Sequence, residues 1–264
     1  MPMPDEANDI ATQADKARAF QALHVRGAPL VLFNAWDAGS ARAVADAGAG
    51  AIATGSWSVA AAHGFADGER MPLALAVDNL RRIVGAVALP VTVDLESGYG
   101  DAPEDAGATV AVALAAGAIG CNLEDSVPAN GSLRATADQV ARLIAARRAA
   151  EAAGIACFIN ARTDVFFQAP AAAHDMAMVD AALERARAYA QAGASGLFVP
   201  GVVDEALIAS IVEASPLPVN VMVMRDTPGR SRLAELGVAR ISHGPGPYRG
   251  AMQWLTEAAK AAIG

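Results

Sequence analysis

Eight times between Pro29 and Pro245 the chain repeats one unit, a short apolar run rich in β-branched residues followed by a longer alanine-rich stretch. The runs are PLVLFNAW, AIATGS, PVTVDLES, AIGCNLEDS, ACFINARTD, GLFVPG, PVNVMV and ARISHGP. Near-continuous apolarity in so short a run is the pattern of a strand covered on both faces. The stretches between them, such as PLALAVDNLRRIVGAV and TADQVARLIAARRAAEAAG, carry apolar residues at helical spacing. Strands joined through helices emerge parallel, and eight such units are the number that closes a (β/α)₈ TIM barrel. Gly48, Gly117, Gly154, Gly193 and Gly237 close the helical stretches as C-caps. Residues 1–264 therefore read as one barrel domain, preceded over 1–28 by a segment whose helix is expected from Ala11 to Val25. The competing architecture is an open doubly wound sheet, for which Gly48-Ala49-Gly50-Ala51-Ile52-Ala53 offers a superficial dinucleotide fingerprint. Its order is wrong, because a helical run precedes these glycines and a strand follows them. Neither a G-x-x-x-x-G-K-[ST] loop nor a G-x-S-x-G elbow occurs.

With 54% hydrophobic residues in 264, the chain can bury a large core. Its net charge of -8 and scattered basic residues exclude a nucleic-acid surface, which needs clustered Lys and Arg. Cys121 and Cys157 fall in separate strand-like runs without C-x-x-C spacing, so buried reduced thiols are expected. The acidic start MPMPDEANDI has no apolar core of a secretory signal, and no run is long enough to span a bilayer. A cytoplasmic protein without membrane or nucleic-acid partners is the expectation. The stretch Gln168 to His174 reads as a mobile loop after the fifth strand.

In a barrel of this kind chemistry sits at the carboxyl ends of the strands. Polar residues collect there repeatedly: Asn34, Trp36 and Asp37 after the first strand, Thr54 to Ser58 at the second, Asp94 and Glu96 at the third. Glu124 and Asp125 follow at the fourth, Arg162 and Asp164 at the fifth, Asn220 at the seventh, Ser242 and His243 at the eighth. Strand alternation points Asp94 and Glu96 the same way, and like charges held together call for a proton or a cation between them. Three acids on adjacent strands, Asp94, Glu96 and Glu124, suit Mg²⁺ with its retained waters, Mn²⁺ being the alternative ion. Arg162 offers a planar fork for a carboxylate. Bland readings stand beside these: a solvated acidic strand end, an Arg162 that only neutralises the acids, a Glu124-Asp125 pair in which one acid caps a helix. His243 reads equally as a satisfied loop histidine, and Trp36 and Trp57 as wall.

The order DLESGYG, then GCNLED (Gly120 to Asp125), then INARTDVF (Ile159 to Phe166) resembles the phosphoenolpyruvate mutase/isocitrate lyase superfamily, in its phosphonomutase-like branch, from about Asn34 to Gly246. The resemblance implies a (β/α)₈ barrel that binds Mg²⁺ and a 2-oxo acid, often a tetramer whose eighth helix is exchanged between subunits. It implies that Asp94, Glu96 and Glu124 serve the metal, Glu96 standing where many relatives have Asp. It also implies that Thr54, Gly55 and Ser56 hold the substrate carboxylate and oxo group, that Arg162 binds a carboxylate, and that Asp67 in GFADG lies near the metal. Trp36, Asn220 and His243 complete the expected substrate-binding set, with Asp67, Arg162 and Glu124 as the catalytic one. The loop SVPANGSLRATAD departs from the family, having neither the Lys-Cys-Gly-His stretch of isocitrate lyases nor the lysine of the mutase and hydrolase branches. Asn130 and Arg134 are its remaining polar candidates, and Pro245 stands where decarboxylase-like members carry an assisting histidine.

The implied activity is a Mg²⁺-dependent lyase or decarboxylase that breaks the C–C bond next to the oxo or hydroxy carbon of a small 2-oxo or 2-hydroxy di-acid through a stabilised enolate. C–P chemistry on phosphonopyruvate, with Arg134 as phosphate contact, is the alternative within enzymes. A barrel that binds a 2-oxo acid without turnover is the alternative outside them.

Overall fold

The computed structural model describes the backbone from Glu6 to Gly264 and side chains from Gln13 onward. Helix α1 (Glu6–Ala22) precedes β1 (Leu30–Leu32), α2 (Ala38–Asp46), β2 (Ile52–Ala53), α3 (Ser56–Ala62), α4 (Leu73–Ala86) and β3 (Val91–Asp94). The middle of the chain gives α5 (Pro103–Ala115), β4 (Gly120–Glu124), α6 (Thr136–Ala152), β5 (Phe158–Arg162) and α7 (Met176–Gln191). It ends with β6 (Gly196–Phe198), α8 (Glu205–Ala214), β7 (Val219–Met222), α9 (Arg230–Glu235), β8 (Arg240–Ser242) and α10 (Gly246–Ile263).

The eight strands form one parallel sheet in the order β1-β8-β7-β6-β5-β4-β3-β2. It curls into a nearly closed (β/α)₈ barrel, whose two ends, β1 and β2, meet through one parallel bridge between Ala35 and Thr54. Asn34 fastens this seam. Its amide donates to the Thr54 carbonyl at 2.8 Å, while its Oδ1 accepts from the amides of His243 at 3.0 Å and Gly244 at 2.9 Å. Asn34 is thus one reason the polar residues gather at this end, and its role is closure of the sheet.

At the amino ends of the strands α1 lies across the barrel mouth. Ala17 and Phe20 are fully buried there, Phe20 meeting Phe158 edge-on at 5.6 Å. His24 stacks on the other side of the junction, 3.8 Å from the Phe158 ring centroid. The helix ends at Ala22, earlier than the sequence pattern predicts, because the chain turns through a bridge between Val25 and Ala28 around Gly27, whose φ of 79° suits glycine. The part of the 1–28 segment before Glu6 lies outside the described residues.

The five glycines read as helix stops all take left-handed φ between 67° and 95°. Two local features differ from the sequence reading. Ser56 to Ser58, expected as the end of the second strand, form the first turn of α3, since β2 stops at Ala53. The stretch Gln168 to His174 contains a 3₁₀ turn at Ala171–Ala173 and follows another at Val165–Phe167. Cys121 and Cys157 are both buried free thiols, as expected. Among the described residues no helix is long and apolar enough to cross a membrane.

Candidate active site

Four acids gather at the carboxyl ends of β2, β3 and β4. Asp94 ends β3, its amide bound to the Thr54 hydroxyl at 3.0 Å. One of its oxygens, Oδ2, accepts from both the amide (3.1 Å) and hydroxyl (3.0 Å) of Ser56. The other, Oδ1, is buried without any hydrogen-bond partner. After Leu95 the chain twists through left-handed positions at Glu96 (φ 52°), Gly98 (105°) and Tyr99 (54°). Glycine is required at Gly100, where a Cβ would lie 2.4 Å from the Asp105 carboxylate. Glu96, only 4% exposed, accepts from the Glu69 amide at 2.6 Å and from the Tyr99 hydroxyl at 3.3 Å. Burial and the neighbouring Asp94 charge push its carboxyl up to about 7.

Glu124 and Arg162 come from paired positions on β4 and β5 and form an ion pair at 2.7 Å. Burial pushes the Glu124 carboxyl up, and the Arg162 guanidinium opposes it. Asp164 grips the same guanidinium through Nε at 2.6 Å and Nη2 at 3.0 Å. Three of its nitrogens are therefore committed, and the fork keeps only its outer N–H groups for a ligand. Asp164 is itself held by Ser126 and, through its amide, by Asp125, which also accepts from Tyr189 at 2.8 Å and Arg185 at 3.0 Å. Neither acid of the Glu124-Asp125 pair caps the following helix, whose N-cap is Ala135; Asp125 belongs instead to this buried network, which sets the direction of Arg162. Asp67 stands exposed at the rim, on the loop between α3 and α4. Partial burial and the Asp94 charge raise its pKa.

Among the described residues Arg162 makes the only ion pair with any of these four acids. The excess negative charge and the orphaned Asp94 Oδ1 fit a small hard cation with oxygen ligands. No three His, Cys, Asp or Glu side chains among the described residues converge closely enough to enclose an ion by themselves. The residues that would hold such a cation are Asp94 and the acids beside it, with the open positions left to water.

The remaining predicted residues are placed unevenly. Thr54 and Ser56 reach the acids, through Asp94, and Gly55 is the N-cap of α3 between them. Asn220 is 1% exposed inside the barrel, exchanging hydrogen bonds with Ser242 at 3.1 and 3.2 Å. The His243 ring packs on Phe33 at 4.9 Å, and burial lowers its pKa. Trp36 and Trp57 both pack edge-on against Tyr248. Arg134 reaches Asp101 at 3.1 Å, away from the acids, and the side-chain oxygen of Asn130 turns back on Ser132. Sequence reasoning missed Arg142. This buried α6 residue donates to the carbonyls of Ser97, Gly100, Asp101 and Ala102, pinning the turn after β3. Its signal was an arginine on the barrel-facing stripe of α6, beside Gln139, Leu143 and Ala146. Glu69 was missed too, although it lies two residues after Asp67.

Comparison with known proteins agrees with this fold. Residues 20–263 match the family model of phosphoenolpyruvate phosphomutase. A crystal structure of a Burkholderia cenocepacia J2315 protein provisionally called a phosphonomutase superposes with a TM-score of 0.93 at 60% identity, covering 95% of this chain and 99% of that one. An uncharacterised Mycobacterium tuberculosis protein is 34% identical over 92% of this chain and 88% of its own length. The 2-methylisocitrate lyase of Escherichia coli K12 is 30% identical over 76% of this chain and 68% of its own.

Proposed function

The chain belongs to the phosphoenolpyruvate mutase/isocitrate lyase superfamily, a group of lyases and mutases, and from that premise we propose that it is a Mg²⁺-dependent lyase or decarboxylase of a small 2-oxo or 2-hydroxy di-acid. The observation that carries the reading is the set Asp67, Asp94, Glu96 and Glu124 facing one arginine, with Asp94 Oδ1 unpartnered. A divalent cation held there would supply stabilisation of the negative charge that develops on the oxo oxygen. Arg162, clamped by Glu124 and Asp164, presents its outer N–H groups to a substrate carboxylate and so sets the orientation of the bond to be broken. The Thr54–Ser56 segment, joined to Asp94, borders the same space. Asp67 at the rim, its pKa raised, is placed to give a proton to the carbon released. Decarboxylation of a 2-oxo di-acid needs no further group than these, CO₂ leaving and the enolate taking the proton, whereas retro-aldol cleavage of a 2-hydroxy di-acid also needs one of the other carboxylates as base for the hydroxyl proton.

The test is a ¹H NMR time course of metal-stripped protein with oxaloacetate, 2-methylisocitrate and malate-type acids, with and without Mg²⁺, against a metal-only blank. Loss of one substrate only when protein and Mg²⁺ are both present is expected. Turnover unchanged by EDTA would overturn the metal reading. Binding without turnover would make this a 2-oxo-acid-binding barrel.

The 60% identity to the Burkholderia protein favours a second reading, C–P chemistry on phosphonopyruvate. It is checked by ³¹P NMR in the same series; the engagement of Arg134 by Asp101 weighs against it. We also propose self-association, in which α10 lies against a second copy. That helix has no buried residue and exposes Trp254, Leu255 and Ile263. Light scattering on the purified protein tests it, and a monomeric mass would refute it.

A further inference from the structure

We propose that Glu69 is a positioning residue, fastening the loop that carries Asp67 to the acid-bearing turn after β3. The inference rests on the preceding reading of these acids as the reactive set. The loop between α3 and α4 spans 63–72 and contains no helix or strand, and the hydrogen bonds at Asp67 itself, with Ser56 and the Gly68 backbone, do not tie it to the turn after β3. Glu69 supplies what is lacking. One carboxylate oxygen, Oε1, accepts from the Ser97 amide at 3.1 Å, the Ser97 hydroxyl at 2.7 Å and the Tyr99 amide at 2.8 Å. Backbone N–H groups of a turn with left-handed residues form a concave nest for an anion, and here a side chain of the same molecule fills it.

The attachment runs both ways. The Glu69 amide donates to Glu96 Oε2 at 2.6 Å, so each of two glutamates caps the other's backbone segment. Both have positive φ, 60° at Glu69 and 52° at Glu96, a conformation that non-glycine residues keep only where the surroundings over-determine it. The four hydrogen bonds between the loops are that determination. They also hold the Glu96 side chain in place, and its second methylene gives the carboxylate the reach to meet the Glu69 amide. Glu69 touches no reacting atom in this account. It acts through Asp67 and Glu96.

The experiment compares wild type with Glu69→Ala and Glu69→Gln by amide hydrogen exchange, and titrates each with Mn²⁺ by electron paramagnetic resonance. In Glu69→Ala, exchange at amides 67–70 and 97–99 should rise about tenfold or more, while Glu69→Gln, whose amide oxygen still accepts from the same donors, should restore most of the protection. Mn²⁺ affinity should fall about 10- to 100-fold in the alanine variant, as for lost support of a ligand set, and recover in the glutamine one. Unchanged exchange in Glu69→Ala would overturn the clamp. Faster exchange with wild-type Mn²⁺ affinity would overturn its role in placing the acids. A wild-type protein that binds no Mn²⁺ would count against the metal reading itself and leave the exchange data to decide the clamp.

Discussion

The two mouths of this barrel solve the same problem in opposite ways. At the amino end of the strands α1 covers the opening, and ionisable groups near it are subdued by packing: burial, then the Arg240 charge, push His24 down to about 3, and burial brings Arg240 down to about 9. At the carboxyl end the buried acids are held instead by hydrogen bonds between loops, with Glu96 pushed up to about 7. One mouth gains stability from apolar contact. The other gives some up by crowding like charges, as reactive sites do. The difference teaches where a change will cost folding and where it will cost chemistry.

The sharpest way to break that division is to substitute at each mouth. Phe20→Ala should lower unfolding free energy by about 3–5 kcal/mol in urea titrations, with turnover per folded molecule unchanged. Asp94→Ala should lower kcat about 10²- to 10³-fold, as when a group stabilising developing charge is lost, without lowering the melting temperature. A large stability loss in the Asp94 variant, or a kcat defect in the Phe20 variant, would erase the contrast.

Titration gives a finer test, because the mouths respond to pH with opposite signs. Unfolded His24 binds a proton below its ordinary 6.5 that the native ring refuses until about 3, so stability falls as pH drops through that window. Native Glu96 keeps a proton from its ordinary 4.5 up to about 7, so without a divalent ion its contribution falls as pH rises through that range. His24→Gln removes the first slope. Between about pH 4 and pH 5.5 the stability difference between wild type and variant should change by about 1.3 kcal/mol per pH unit, read from denaturant melts; a constant difference would refute it. The smallest effect belongs to the exposed tail. Trp254→Ser on α10 should leave urea stability per chain within about 0.5 kcal/mol, as for a surface change, while shifting mass in light scattering toward the monomer.

The barrel was legible in the sequence because strands covered on both faces cannot hide their apolar runs, and because glycine marks the helix ends. The acids at the ends of β3 and β4 were legible for the same reason, as polar residues interrupting those runs. The function of Asn34 was not, since a side chain that closes the sheet and one that meets a ligand interrupt a strand alike. Arg142 and Glu69 were hidden more deeply. Each binds backbone groups of a turn distant in sequence, and no local pattern announces a carbonyl or amide as a partner. Ser56 moved from strand end to helix because a two-residue strand leaves too little pattern to set its boundary.

The seam between β1 and β2 bears on how the molecule comes into being. β1 takes its full ladder from β8, Leu30 opposite Arg240, and a single bridge joins its end to β2. During synthesis the first strand to leave the ribosome must therefore wait for the last before its edge is covered. Phe20 waits as well, since its partner Phe158 comes far later in the chain. Vectorial folding of the nascent chain can assemble β2 through β7 in turn, but sealing the ring is a terminal event, and until then the growing end carries an open edge that invites pairing with other chains.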